Sequence, residues 1–413
     1  MPGEHKEVEM NRKRFLLLVF AVIMSLLLVI AVSACGGGSR NEPEAPPEPE
    51  ATPTPTPPPP TPEPTPAPVV LVEYDGDVEH IFFHEVIAYP DMAFPNSTDA
   101  HRLDDYMITI HEFNAMLSSL HRNNFVLIDM RDIWSEYTNE NGRQRMRRNT
   151  LMIPEGKKPL VLSFDDLTFH LEPRDGFMHR YVIGVDGEIW AEGVDRAGNP
   201  LVTQDLAAIT VLDKFIRENP DFSHAGAKGC IAQTGLHGIL GYRTQTSKED
   251  NSEAFRLNRM QEVARVKPVI ERLHQTGWYF ASHSWGHINF EVMSLNGIQA
   301  DAERWKDEVG SLIGDTNIMI YAHGGRLDGN DVWRESAGPA LRYYIDDLGF
   351  RLFASVGKEP FTRIRSDVPA VMMDRMNADG ITLRRARERF MRFYDAKEVF
   401  DPLRPDSIEV HWD

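Results

Sequence analysis

The stretch GWYFASHSWGH, Gly277 to His287, decides how the chain reads. Its first half is a short apolar run of the kind that fills a buried strand. Its second half puts His283 at the end of that strand and His287 one helical turn later. Two imidazoles at this spacing suit a metal ion, yet an HxxxH pair on its own is more often structural. The surrounding chain has to settle which it is.

Working outward, short apolar runs alternate with amphipathic helical segments. HIFFHEVI is a buried strand with His84 near its end. TIHEFNAMLSSLHRNN follows, with Thr109 and Glu112 in capping-box positions and Phe113, Met116, Leu117 and Leu120 at helical spacing. The strands FVLIDM, PLVLSF, AKGCIAQ, WYFAS, IMIYA and FRLFASV are separated by helical stretches. These are ITVLDKFIREN, RVKPVIERLHQTG, DAERWKDEVGSLIG and the segment around ALRYYIDDLG. Such alternation means an α/β fold with a mostly parallel sheet or barrel. In folds of that kind the chemistry gathers at the carboxyl ends of the strands.

That rule singles out two strand ends. PLVLSFDD finishes on Asp165 and Asp166, and WYFASHSWGH on His283 and His287. Adjacent aspartates alone fit a solvated turn or a helix cap. At matching ends of two strands, the four groups instead form one site. Two neutral imidazoles and a carboxylate leave a metal with open positions for water and a substrate oxygen. The metal acidifies the water and polarises a carbonyl, while a second carboxylate takes the proton. With only two cysteines, Cys35 and Cys230, any such ion is held by His, Asp or Glu. Cys230 reads as a buried small residue in a strand.

LSFDD and SHSWGH resemble the first two motifs of the polysaccharide deacetylases, the NodB-type carbohydrate esterases of family four. Those motifs read approximately TFDD and H(S/T)xxH, and the resemblance runs from about His80 to Phe353. It implies a distorted (β/α) barrel and removal of acetyl groups from N-acetylated sugars with zinc or a similar divalent ion. By the same resemblance, Asp165 corresponds to the catalytic base, Asp166 to the metal-binding aspartate, and His283 and His287 to the metal-binding histidines.

Later motifs depart from the family. Its third motif is close to RxPY, with an arginine that steadies the catalytic aspartate, whereas here IMIYAHGG puts Ile320 in that place and Ala322 and His323 after it. The backbone N–H of His323 can still serve an oxyanion; its imidazole is either an extra acid or ligand or a substitution without a role. The family's late histidine, a general acid, falls where VPAVMMDRMNADG offers Asp374 or Arg375. A segment after Asp166 contains two β-rich runs joined by VDGE, read as a hairpin insertion forming a wall of the cleft. His170, Arg174 and His179 within it read as surface or loop-fixing groups. Trp285 suits either stacking on a sugar or packing of its own loop. TGLHGILGYRT reads as a rim loop without the GK[ST] of a phosphate site. RRARERFMRF reads as a solvated basic face.

The N-terminus addresses the chain outward. NRKRF precedes an unbroken apolar run that ends in VSAC, the pattern of a bacterial lipoprotein signal with lipidation at Cys35. The alternative is an uncleaved anchor, since a run of roughly 20 apolar residues can span a bilayer. Residues 36–68 are a Pro-rich acidic linker, extended at about 3.1 Å per residue. Residues 69–413 are then a catalytic domain on the outer face of the cytoplasmic membrane, associated with the cell wall. A net charge of −18 argues against nucleic acid as a partner. The expected function is a metal-dependent hydrolase acting on N-acetylated polysaccharide or peptidoglycan. The alternatives are a metal-binding but catalytically impaired glycan-binding lipoprotein, and an amidase on a non-sugar N-acyl substrate.

Overall fold

A computed structural model describes residues 69–94, 100–167 and 175–405 of the chain. Cys35, the linker, His170 and Arg174 lie outside the described residues. Seven parallel strands close into a barrel in chain order: β1 (Glu79–Phe83), β2 (Lys158–Asp165), β3 (Cys230–Gln233), β4 (Tyr279–Ser282), β5 (Ile318–Ile320), β6 (Leu352–Val356) and β7 (Val371–Asn377). Pairing of β7 with β1 and of β2 with β3 completes the ring. Of the parallel sheet or barrel that the alternation allows, the chain forms the barrel, as the resemblance to the polysaccharide deacetylases implies. Two flanking strands join the same sheet at its lower edge: Phe125–Leu127 beside β2, and Phe361–Ile364 antiparallel to β7.

The interior is filled by alternate residues of these strands, among them Val161, Cys230, Ala232, Ala281, Ile320, Ala354, Val371 and Met373. Small residues on β3, β4 and β6 make room for the larger ones opposite, so the centre is packed rather than open. Cys230 is among them and fully buried. The outward faces pack against helices α1 (Ile110–Arg122), α2 (Ala208–Glu218), α3 (Glu253–Gln275) and α4 (Leu295–Trp305). The capping box of α1 is formed as the spacing indicates: the Thr109 side chain accepts from Glu112 N–H, and Glu112 accepts from Thr109 N–H.

Three elements differ from the sequence reading. Helix α3 starts at Glu253, capped by Ser252, some three turns before its apolar face begins. Leu257 and Met260 in that extension are exposed, so hydrophobic periodicity carried no trace of it. The DAERWKDEVGSLIG helix is interrupted after α4 by a π-helical turn, Lys306–Gly310. The insertion after β2 is a three-stranded antiparallel sheet, Arg180–Ile183, Ile189–Val194 and Pro200–Thr203, of which VDGE turns the first hairpin. Its apolar side, Tyr181, Ile189 and Ala191, joins the main core, and the sheet packs on α2 and α3.

The basic C-terminal face is also not simply solvated. Arg384 is buried and pairs with Asp104 and Asp105, and Arg404 is buried between Asp104 and Glu112. A guanidinium in the interior needs such partners, and here they tie the C-terminal segment to α1 and to the helix before it.

Candidate metal centre

The barrel register brings the carboxyl ends of five strands to one rim. On β2, Phe164 pairs with Phe83 and Asp165 with Ala232, so His84 and Asp165 follow each other around the ring. Asp166 then leaves the strand with φ 55°, His287 has φ 51° and His323 has φ 57°. Non-glycine residues adopt this region at a cost, and its concentration here marks a site where side-chain direction is imposed by the surroundings.

Asp166, His283 and His287 each offer a ligand atom, all within 4.8 Å of one another. His287 Nε2 lies 3.1 Å from Asp166 Oδ2, and His283 Nε2 lies 3.9 Å from Asp166 Oδ1. His283 Nδ1 is 2.8 Å from the carbonyl oxygen of Ile320. A carbonyl only accepts, so Nδ1 carries the proton and the Nε2 lone pair faces the cluster. Asp166 Oδ1 is buried with no hydrogen-bond partner in the structure. An orphaned carboxylate oxygen and an imidazole lone pair aimed at the same point are what a divalent cation would satisfy, so these residues fit a metal ion.

The charges agree with that reading. Burial pushes the Asp166 carboxyl up, but its hydrogen bond to His287 and the nearby His283 draw it well below the ordinary carboxylate range. Burial holds the His283 imidazole down, only partly offset by Asp165 and Asp166. For His287, burial is outweighed by the bond to Asp166, and its affinity for protons rises. A proton on His287 and a cation at the cluster compete for the same lone pair, which makes metal uptake favour higher pH.

Asp165 belongs to a different circle of partners. Its side chain points along the barrel interior and is 2 % exposed. Arg375 of β7, fully buried, donates from Nη1 to Asp165 Oδ1 at 2.8 Å and from Nη2 to Oδ2 at 3.0 Å. Burial alone would raise the Asp165 carboxyl, and Arg375 with His283 brings it below its ordinary value. Arg375 lies over the Phe82 ring at 4.0 Å and also donates to Ser163 Oγ at 3.0 Å. Ser163 in turn lies 2.9 Å from His80 Nε2. Burial, with Arg375 nearby, keeps His80 neutral, so Ser163 joins a neutral imidazole to the Arg375 guanidinium.

The arginine missing from IMIYAHGG is thus supplied by another strand. Ile320 contributes its carbonyl to His283 instead. Strand alternation is the signal that finds Arg375: it shares parity with Met373 and Val371, and a buried arginine implies a buried acid. Asp374 has the opposite parity, faces out of the barrel and pairs with Arg326. It cannot stand in for the late histidine.

His84 is the group that sequence reasoning passed over. It continues the inward parity of His80 and Phe82, and its ring meets Phe82 edge-on at 5.7 Å. Its Nδ1 is buried and without a hydrogen-bond partner in the structure. His323 lies on the outer side of the cluster, exposed, with its ring centroid 4.3 Å from that of His287 and its Nε2 donating to the His287 carbonyl at 3.1 Å. His179 sits apart, beside Arg180 and Glu192.

Trp285 packs its own loop. Its Nε1 donates to Glu308 at 3.0 Å, the Arg304 guanidinium covers one ring face at 3.3 Å, and Gly235 leaves room for its edge. Arg304 thus occupies a ring face on which a sugar would otherwise stack.

No protein-family model matches the chain, and no curated protein matches it. Among solved structures it is similar to the Streptococcus pyogenes deacetylase PplD in complex with acetate, at 12% identity over 75% of this chain and 94% of that one, with a TM-score of 0.39. It is also similar to BC0361, a polysaccharide deacetylase from Bacillus cereus, at 11% identity over 78% and 69% of the two chains, TM-score 0.37. A third is IcaB from Ammonifex degensii, at 12% identity over 74% and 94%, TM-score 0.33. Likenesses this distant leave the functional reading to the site itself.

Proposed function

We propose that the chain is a metal-dependent hydrolase that removes acetyl groups from N-acetylated cell-wall or extracellular polysaccharide. The observation that carries this is the joining of two carboxylates with separate partners at one barrel rim. Asp166 faces two histidines, and Asp165, one residue away, is held by a buried arginine. A divalent ion, proposed as zinc, would be held by Asp166, His283 and His287 and would supply Lewis acidity to the acyl oxygen and to water.

The chain's own groups then divide the proton work. Asp165, ionised at neutral pH and fixed by Arg375, takes a proton from the attacking water. As the carbonyl becomes tetrahedral, the backbone N–H of His323 is the proposed donor to its oxygen. His84, on the neighbouring strand end, is the proposed donor to the departing amine nitrogen. The C–N bond breaks, a C–O bond forms, and acetate leaves with the free amino sugar. The His323 imidazole, one edge against His287, is read as a group that holds His287 in place.

Impaired catalysis was motivated by a missing arginine and a missing acid. Arg375 and His84 remove that motive. We further propose that Cys35 carries the lipid and that the Pro-rich linker sets the domain at the cell wall. Acetate release from N-acetylglucosamine oligomers and from peptidoglycan tests the activity. It is expected with zinc-loaded protein and expected to fall at least 10²-fold in Asp165→Asn, with zinc content unchanged. Hydrolysis of small N-acyl compounds but not of glycans would move the assignment to an amidase.

A further inference from the structure

Between the two histidines lies a loop that another element of the fold holds by its backbone. Asp301, on α4, accepts the N–H of Trp285 at Oδ1, 2.8 Å, and the N–H of Gly286 at Oδ2, 2.7 Å. These are the peptide units midway between His283 and His287. Ser284 precedes them with φ 60°, and its Oγ accepts the Ile288 N–H at 2.9 Å. Successive N–H groups that converge after a left-handed residue form a concave anion site. Here the anion is a side chain of the protein. A Cβ on Gly286 would lie 3.1 Å from Asp301 Oδ2, so glycine is what permits so close an approach.

We propose that Asp301 is a positioning residue for the metal centre. It fixes the two peptide units that set the angle between the His283 and His287 imidazoles, and through them the affinity for a divalent ion. This rests on the metal reading above. Its effect on the histidines passes through the backbone it holds. Arg304, in the last turn of α4, and Glu308, in the π-helical turn that follows it, hold the Trp285 side chain and so anchor the loop's other attachment.

The test uses the full chain stripped of metal, with zinc affinity measured by competition against a chromophoric chelator. Melting of the metal-free protein is followed in parallel. Asp301→Asn keeps the size but offers one acceptor oxygen for two N–H groups. Its zinc affinity is expected to fall 10- to 100-fold, the range for groups that orient metal ligands, while the metal-free protein still unfolds cooperatively. Gly286→Ala is the second variant: it leaves the Asp301 charge in place and forces its carboxylate a few tenths of an ångström back from the loop. It is expected to lose at least threefold. Variants that fold and bind zinc within threefold of wild type would overturn the proposal while leaving the metal reading intact. A wild-type protein that takes up no zinc, with His283→Ala behaving identically, removes the metal reading and the clamp with it.

Discussion

Replacing Arg375 by methionine tests the site's electrostatics most directly. The guanidinium is fully buried, and its partner Asp165 is 2 % exposed. Neither group can turn to water when the other is lost. Breaking a buried pair of this kind by removing one partner costs about 3–5 kcal/mol, because the remaining charge stays desolvated. The pH dependence carries the diagnostic sign. In the wild-type protein the Asp165 carboxyl lies below its ordinary value. It therefore contributes stability above the unfolded carboxylate pKa of about 3.9, and loses it only as pH falls through the lower folded value. Without Arg375 the burial that pushes the carboxyl up is unopposed by its main counter-charge, and the folded value moves above the unfolded one. The variant then gains stability on acidification, as the buried acid takes up its proton. The deficit of Arg375→Met is expected to be largest near pH 7 and to shrink towards pH 5. Urea unfolding of metal-free protein at the two pH values measures it. Adding Asp165→Asn to Arg375→Met is expected to recover most of the loss, since neither charge is then left in the barrel. A deficit under about 1 kcal/mol at pH 7, or one unchanged at pH 5, would refute the argument.

Two other perturbations reach separate links of the chain. His84→Asn is expected to lower acetate release by 10²–10⁴-fold with zinc content unchanged, and to abolish the alkaline limb of the kcat/KM profile that reports an essential acid. Retention of that limb would remove His84 from the reaction. Arg404→Met leaves Glu112, 0 % exposed, without its buried cation, while Asp104 keeps Arg384. A loss of about 3–5 kcal/mol in urea unfolding is expected, and a loss below about 1 kcal/mol would mean the C-terminal segment is held by its apolar contacts instead.

The parallel α/β strands were legible because they obey a strong local rule: apolar runs of strand length, each led in by a helix or a turn; closure into a barrel followed only from the family resemblance. The candidate cluster of Asp166, His283 and His287 was legible because these residues lie at the ends of two such runs, where parity and strand termination confine the side chains. Arg375 and His84 escaped for one shared reason. Each acts on a residue far away in the chain, and a single sequence records no pairing between distant positions. Parity alone placed them inside, Arg375 with Met373 and His84 with His80 and Phe82, but which acid each would meet depends on how the ring closes. Comparison with a family motif compounded this, because it sought the arginine at Ile320, whereas the fold needs a guanidinium near Asp165 and is indifferent to which strand brings it. The solvated reading of RRARERFMRF failed likewise: Asp104 precedes Arg384 by most of the chain, and their meeting is a tertiary fact.

Asp165 and Asp166 show how one dipeptide can provide two different environments, one for each of the roles proposed for it. In a continuing strand their side chains would point to opposite faces. Asp165, the last strand residue, points inward and meets Arg375. Asp166 would then face the helices, away from the histidines, but its φ of 55° turns the chain and returns its carboxylate to the rim. The left-handed turn is therefore what gives both acids access to one cleft. Partner chemistry then separates them. A fixed guanidinium that cannot release its proton keeps Asp165 ionised without occupying a ligand site, as a proton acceptor requires. Imidazoles that exchange a proton for a cation leave Asp166 with an open lone pair, as a ligand requires.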